Sequence, residues 1–366
     1  MKKVLCILSG LNAGGAETFL MKIYRQLDKS RYQMDFCINV PDKCFYEDEI
    51  TAMGGKIYRI PAKSQNHKVF SQKLRSLVKD EGYEYVLRIT SSAAGFMDLK
   101  IAKQAGAKVC AARSSNSSDG GRWKSRVVHR LGRLLYGKYV DVKFAPSDLA
   151  AIYTFGEKAY RAGEVTILHN AVDLDAFRYD VSGRAAIRKE LAVSDDTLLV
   201  GHIGRFMAQK NHSFLLKVFS GILNKNPNSK LLLVGIGELE HQIRCQVSAM
   251  RMEEQVIFAG VRSDIPQVLS AMDVFVFPSL YEGMPNTVIE AQATGLPCVI
   301  ADTITREADV TGLVQYLSLS ESTEIWAQQA LTAASVPRRD TKQDFIDHKY
   351  DIESTTKEFI RLCFDE

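Results

Sequence analysis

The feature of this sequence that most limits its fold is an alternation. Short continuous runs of Val, Ile and Leu recur along the chain, and stretches with helical spacing separate them. In the first half the runs predict strands at Val4–Leu8, Met34–Ile38, Lys56–Ile60, Tyr85–Ile89, Lys108–Ala112, Val142–Ala145 and Val165–Leu168. Helices are expected between them near residues 16–27, 69–79, 96–104, 123–137 and 147–155. In the second half strands are expected at Leu198–Ile203, Leu231–Val234, Val256–Ala259, Val274–Phe277, Cys298–Ile300 and Leu313–Tyr316. Helices are expected there near 211–224, 238–250, 265–271, 285–294 and 321–334. A strand that is apolar on both faces must be covered on both faces, as in parallel sheets flanked by helices. Two such blocks predict an α/β chain of two Rossmann-like, doubly wound domains.

The join should fall near His169–Phe177, where the chain turns polar after Val165–Leu168. That gives an N-terminal domain over 1–168 and a C-terminal domain over 169–346. Residues 347–366 have helical spacing at Ile352, Phe359, Ile360 and Phe364, and are expected to pack back on the N-terminal domain. The 366 residues are enough for each half to bury its own core.

Composition narrows the class. Hydrophobic residues are 46% and charged residues 25%, which excludes a disordered chain. No apolar run approaches the roughly 20 residues that span a bilayer. The opening VLCIL run is short and soon meets Gly14-Gly15-Ala16-Glu17, so it reads as a buried strand, not a leader. The 7 cysteines contain no Cys-x-x-Cys pair, which argues against a disulfide framework and a zinc site. The expectation is a soluble, cytoplasmic protein. Its charge is uneven: residues 1–168 hold 28 Lys+Arg against 16 Asp+Glu, residues 169–366 hold 19 against 27. A basic half beside an acidic half suggests that the first half meets something anionic.

In folds of this class ligands bind beyond the carboxyl ends of the strands. Three segments stand at such ends. Gly10-Leu11-Asn12-Ala13-Gly14-Gly15-Ala16-Glu17 follows the first strand and opens a helix. Its glycines let backbone N–H groups approach an anion. It has neither the Gly-x-Gly-x-x-Gly spacing nor a Gly-Lys-Ser/Thr, so a plain turn stays open. Gly204-Arg205-Phe206-Met207-Ala208-Gln209-Lys210-Asn211 brings Arg205 and Lys210 to another strand end. Two such cations can take a diphosphate without a metal, or they can be solvated surface charges. Pro278–Ala291 runs from a buried strand through a loop into a helix opened by Pro285. The N–H groups of Asn286, Thr287 and Val288 would face an anion there. Glu282 in the loop and Glu290 in the helix are acceptors suited to sugar hydroxyls.

Together these parts describe a nucleotide-diphosphate-sugar site, and with them the chain resembles the retaining glycosyltransferases of family 4, which have the GT-B fold. The matching stretches are LSGLNAGGAETFL (8–20), HNAVDLDAF (169–177), GHIGRFMAQKNHSFLL (201–216), LLLVGIGELE (231–240), residues 258–302 and the tail from Ile352. Their wording is most similar to the bacterial exopolysaccharide and capsule enzymes of that family. The resemblance implies two domains facing a cleft and transfer from a nucleotide sugar, UDP-linked, to a glycan or lipid-linked acceptor. It implies that Arg205 and Lys210 grip the donor diphosphate and that Glu290 binds the ribose. Glu282 would contact the transferred sugar beside the backbone of Gly283, Met284 and Asn286, with Thr287 at the helix start. Val261 and Arg262 would flank the base, and Gly14 and Gly15 would admit the donor phosphate and sugar. It implies retention of anomeric configuration with no metal or other cofactor.

One departure stands out. Many relatives carry a His in an HSHN-like segment of the first domain. The corresponding stretch here is Ala112-Arg113-Ser114-Ser115-Asn116, and the nearest His is His129. Arg113, Ser115 and Asn116 are then the candidates on the acceptor side. Asp173-Leu174-Asp175 sits in the interdomain match rather than in a sheet loop and is not read as a metal site, and His202 is read as a packed histidine. Residues 122–138, RWKSRVVHRLGRLLYGK, place apolar residues at 123, 127, 128, 131, 134 and 135, with cations interleaved. This basic amphipathic stretch either lies on an anionic membrane surface or turns its apolar face to the core. Two other functions stay open: a nucleotide-sugar epimerase of the same fold, and a non-catalytic sugar-nucleotide-binding scaffold. No nucleic-acid module accompanies the basic stretch.

Overall fold

A computed structural model describes residues 1–12, 14–115 and 123–364. It divides into two compact units, Met1–Ala171 with Lys349–Glu366, and Val172–His348. The first unit holds seven strands among the described residues: β1 (Lys2–Ile7), β2 (Tyr32–Ile38), β3 (Ile57–Arg59), β4 (Tyr85–Thr90), β5 (Val109–Ser114), β6 (Val142–Ala145) and β7 (Thr166–Ile167). They form one parallel sheet in the order β3-β2-β1-β4-β5-β6-β7. Successive side chains leave a strand on opposite faces. In β1, Val4 and Cys6 join Phe19, Leu20 and Ile23 in one core, while Leu5 and Ile7 join Phe70, Leu74 and Phe96 in the other. That two-sided burial is why the strands read as unbroken apolar runs.

The second unit holds β8 (Leu198–Ile203), β9 (Ser229–Val234), β10 (Val256–Phe258), β11 (Val274–Phe277), β12 (Cys298–Ala301) and β13 (Val314–Leu317). Their order is β10-β9-β8-β11-β12-β13, again parallel. Each sheet reverses its strand order once, between β1 and β4 and between β8 and β11. A reversal leaves two loops diverging at the carboxyl edge, and ligands in open α/β sheets bind at that point.

The tail is the helix Ile352–Phe364, which belongs to the first unit. Its Phe359 ring meets Phe19 and Phe144, each at 6.4 Å between centroids, and Phe364 meets Tyr32 at 4.9 Å. Several helices carry no signal in the sequence. Glu47–Ala52, Glu157–Arg161 and Lys342–Asp347 are shorter than two turns, too short to show a period. Val181–Glu190 buries Gly183, Ile187 and Arg188, which is not an apolar stripe. Its Arg188 instead donates to the carbonyls of Ser194 and Ala271 and pairs with Asp273 at 3.3 Å.

Candidate functional site

The loops after β8 and β11 flank the reversal in the second sheet. After β8 the chain turns sharply, because Phe206 is buried and pulls its loop down. Phe206 stacks on His212 at 4.4 Å, and its N–H donates to Ile236 O at 3.1 Å. Gly235 lies against the carbonyl of Gly204 with φ +137°, a place where a Cβ would collide and strain the backbone. Ala208–Lys210 forms a 3-10 turn, and Asn211 takes a left-handed conformation (φ 55°) before the helix His212–Lys225.

That turn is lashed to the loop after β11. Leu280 N–H donates to Gln209 O at 2.8 Å, Gln209 Nε2 to Tyr281 O at 2.8 Å, and Asn211 Nδ2 to Pro278 O at 3.2 Å. The lashing brings two charges together. Lys210 Nζ donates to Glu282 Oε1 at 2.7 Å and lies 4.6 Å from the centroid of the Phe277 ring. Both side chains are mostly buried. A cation held by a carboxylate and a ring face, away from bulk water, is positioned before any ligand arrives. Arg205, five residues before Lys210 on the same loop, is exposed, and its guanidinium makes no hydrogen bond or ion pair among the described residues.

The loop after β11 ends at Pro285, and the helix Asn286–Ala293 starts with no side chain capping it. Val288 N–H donates to Pro285 O at 3.0 Å, so it is not available to an anion as its place in the sequence suggested. Asn286, Thr287, Met284 and Glu290 are half-buried around this start, and Gly283 is exposed. Val261, after Gly260, is 71% exposed. Arg262 beside it is committed elsewhere, to Glu190 and to Asp264 at 2.6 Å. Its two carboxylate partners hold that guanidinium in place.

Behind Lys210 lie two buried histidines. His202 Nδ1 bonds Val276 O at 2.9 Å, and its ring meets His212 at 4.8 Å. Burial pushes His202 well below its usual value and His212 down to about 4, with Lys210 adding repulsion. Both rings are neutral in the folded chain. An unfolded histidine takes its proton near 6.5, so below that pH the unfolded state binds more protons and stability falls as pH drops toward 4. For His212 alone the loss approaches about 3 kcal/mol at the low end. Urea melts across this range should show His212→Gln with the shallower slope; equal slopes would refute a buried neutral pair.

The first unit presents Gly14 as the cap of helix Gly15–Gln26, with no side-chain cap bond. Glu17 folds back over Gly14, and burial raises its carboxyl above the usual range. Of the acceptor-side candidates, Ser115 is exposed with its N–H on Thr90 O at 2.9 Å. Asn116 lies outside the described residues. Arg113 is 1% exposed, packed 3.8 Å over the Phe19 ring and donating to Asn170 Oδ1 at 2.6 Å. It therefore acts inside the first unit as a packing group. Burial without a carboxylate lowers its guanidinium to about 9. His129 is buried, with Nδ1 and Nε2 bonded to Ala93 N–H and Tyr153 O, so it does not stand in for the His absent from 112–116. Asp173 accepts the N–H groups of Asp175 and Ala176, and Asp175 pairs with Lys342 at 3.1 Å. Among the described residues, no group of three or more His, Cys, Asp or Glu side chains could hold a metal ion. Sequence reasoning missed Gln209, Asn211 and Phe277, which fasten and floor the site; their signal was only adjacency to Lys210 and to the loop.

Comparison with known proteins places the chain in a family. Residues 183–312 match the family described as glycosyl transferases group 1. The glycosyltransferase EpsF of Bacillus subtilis (strain 168) is 37% identical over 352 residues, covering 94% of this chain and 90% of that one. The UDP-Gal:alpha-D-GlcNAc-diphosphoundecaprenol alpha-1,3-galactosyltransferase of Escherichia coli is 34% identical over 142 residues, 38% of this chain and 37% of that one. The crystal structure of Anabaena Alr3699/HepE in complex with UDP and glucose superposes with a TM-score of 0.74 at 18% identity, covering 98% of both chains. The two sheets are those of the GT-B glycosyltransferases. The chain belongs to the group 1 glycosyl transferases.

Proposed function

We propose that the chain moves a sugar from a UDP-sugar to a lipid-linked saccharide, with retention at the anomeric carbon, in the synthesis of a bacterial surface polysaccharide such as an exopolysaccharide or capsule. The observation that carries this reading is the Lys210–Glu282 pair on the Phe277 ring, with the unpaired guanidinium of Arg205 on the same loop. The bond from the anomeric carbon to the diphosphate breaks as the acceptor oxygen attacks on the same face. The acceptor proton leaves with the diphosphate. Charge grows on the departing phosphate oxygens, and Arg205 and Lys210 meet it with preorganised donors. Two cations there supply what a metal would otherwise supply, so the reaction runs without one. Glu290 takes the ribose hydroxyls and Glu282 the hydroxyls of the transferred sugar. The printed names of the relatives support the substrate classes: the Escherichia coli enzyme acts on a diphosphoundecaprenol-linked sugar, and HepE was solved with UDP and glucose. A lipid-linked acceptor puts the enzyme at the inner face of the membrane as a peripheral protein.

Thermal melting with UDP and UDP-sugars in EDTA tests the donor site. At a hundredfold excess over Kd, binding should stabilise the chain by about 2.7 kcal/mol. The shift should persist in EDTA and disappear in Arg205→Ala. No shift with any nucleotide would refute the donor reading. Turnover separates the alternatives: an epimerase changes the donor alone, and a scaffold changes nothing.

A further inference from the structure

The helix Trp123–Tyr136 is seated with its apolar stripe outward. The face it turns to the first unit holds His129 and Gly132. His129 Nδ1 accepts the Ala93 N–H at 3.1 Å, so Nε2 carries the proton and donates to Tyr153 O at 2.7 Å. The ring stacks on Tyr153 at 4.5 Å. A Cβ on Gly132 would lie 2.7 Å from the backbone of Ala93, so the two backbones touch. The opposite face carries Val127, Val128, Leu131, Leu134 and Leu135, which are 48, 54, 49, 80 and 53% exposed. At 100° per residue they form one stripe, and the exposed Arg126 and Arg130 border it. The helix has no acidic residue.

A contiguous exposed apolar stripe marks an interaction surface. The flanking charge selects the partner. Two copies of this helix face to face would set arginine against arginine, which a self-complementary interface does not tolerate. An anionic bilayer satisfies both features, taking the apolar side chains into the interface and the arginines among its headgroups. The excess of 28 cationic over 16 acidic residues in 1–168 adds long-range attraction. We infer that this outward face of Trp123–Tyr136 docks the chain on an anionic lipid surface by apolar insertion, not by charge alone. The inference rests on the proposed lipid-linked acceptor for its purpose. The helix touches Ala93, three residues after β4 ends at Thr90, so docking holds the carboxyl edge of the first sheet near the lipid.

Flotation of the full chain with vesicles tests it, using phosphatidylcholine with about a third phosphatidylglycerol against phosphatidylcholine alone. The wild type should float with the anionic vesicles and keep part of its binding at high salt. Leu131→Ser with Leu134→Ser should lower binding about tenfold or more. Arg126→Gln or Arg130→Gln should each lower it about fivefold, the equivalent of roughly 1 kcal/mol. All these side chains are exposed, so melting temperature and the UDP shift should stay unchanged. Wild-type binding in the Leu131/Leu134 variant, or no vesicle binding at all, overturns the inference. A wild-type dimer that this variant makes monomeric, without vesicle binding, assigns the face to a second copy and overturns it too. Loss of vesicle binding with an intact UDP shift leaves the transferase reading standing; an absent UDP shift with intact vesicle binding does the reverse.

Discussion

Lys210→Ala is expected to lower the rate of sugar transfer by about 30- to 1,000-fold, the equivalent of roughly 2–4 kcal/mol of transition-state stabilisation. The size follows from how Lys210 is held. Its ammonium is fixed before the reaction by Glu282 Oε1 at 2.7 Å and by the Phe277 ring at 4.6 Å. A donor positioned in advance stabilises growing charge without reorganising when the bond breaks. Removing it also leaves Glu282 without its cation, so the remaining carboxylate repels the departing diphosphate. Lys210→Arg keeps the charge, but a planar fork does not match a single carboxylate oxygen beneath a ring. It should recover only part of the rate. Steady-state kinetics of both variants, with the UDP thermal shift as a check on folding, decide the matter. Turnover at the wild-type level in Lys210→Ala would remove Lys210 from the mechanism.

Asp98→Ala is expected to destabilise the first unit by about 3–5 kcal/mol, which lowers its melting temperature by roughly 6–20 °C. Asp98 is fully buried and pairs with two cations, Lys63 at 2.6 Å and Arg88 Nε at 2.8 Å. The Arg88 contact is an ion pair without hydrogen-bond alignment, and Arg88 also donates to Ile7 O at 2.9 Å. Alanine would leave the buried Arg88 and the half-buried Lys63 facing each other with no carboxylate between them. Removing one partner from a buried pair costs far more than the pair contributes on its own, because the other charge stays desolvated. The cluster joins β1 and β4, the strands that flank the reversal in the first sheet. Loosening it should therefore also blur the Gly10–Gly14 loop. Differential scanning calorimetry measures the effect, and a loss under about 1 kcal/mol would show the cluster to be hydrated rather than buried.

Much of the fold was legible because its cause is local. An apolar residue at every position of Val274–Phe277 requires a strand covered on both faces, whatever the rest of the chain does. The missed helices have the opposite character. Val181–Glu190 is held by Arg188 reaching to Ala271 and Asp273, more than 80 residues away. No window of sequence contains that information. Edge strands show the same limit: β7 has one neighbour and shrinks to Thr166–Ile167.

The candidate site was legible as parts and illegible as contacts. Strand ends, glycines and the Pro285 turn named the loops. Which side chains point at which was a matter of packing. Nothing in the sequence told that Arg262 is bound to two carboxylates or that Arg113 is buried over the Phe19 ring.

The sequence by itself determined that the chain makes two parallel sheets and where their carboxyl edges carry cations, carboxylates and glycines, because periodicity and turn chemistry act within a few residues. Only the tertiary structure decided that Lys210 meets Glu282 across 72 positions of chain, and that Trp123–Tyr136 turns its apolar stripe outward. Hydrophobic spacing defines a helix face but not what covers it. At that helix the backbone contact at Gly132 and the bonds of His129 took the inner face, and the apolar side chains were left to the surface.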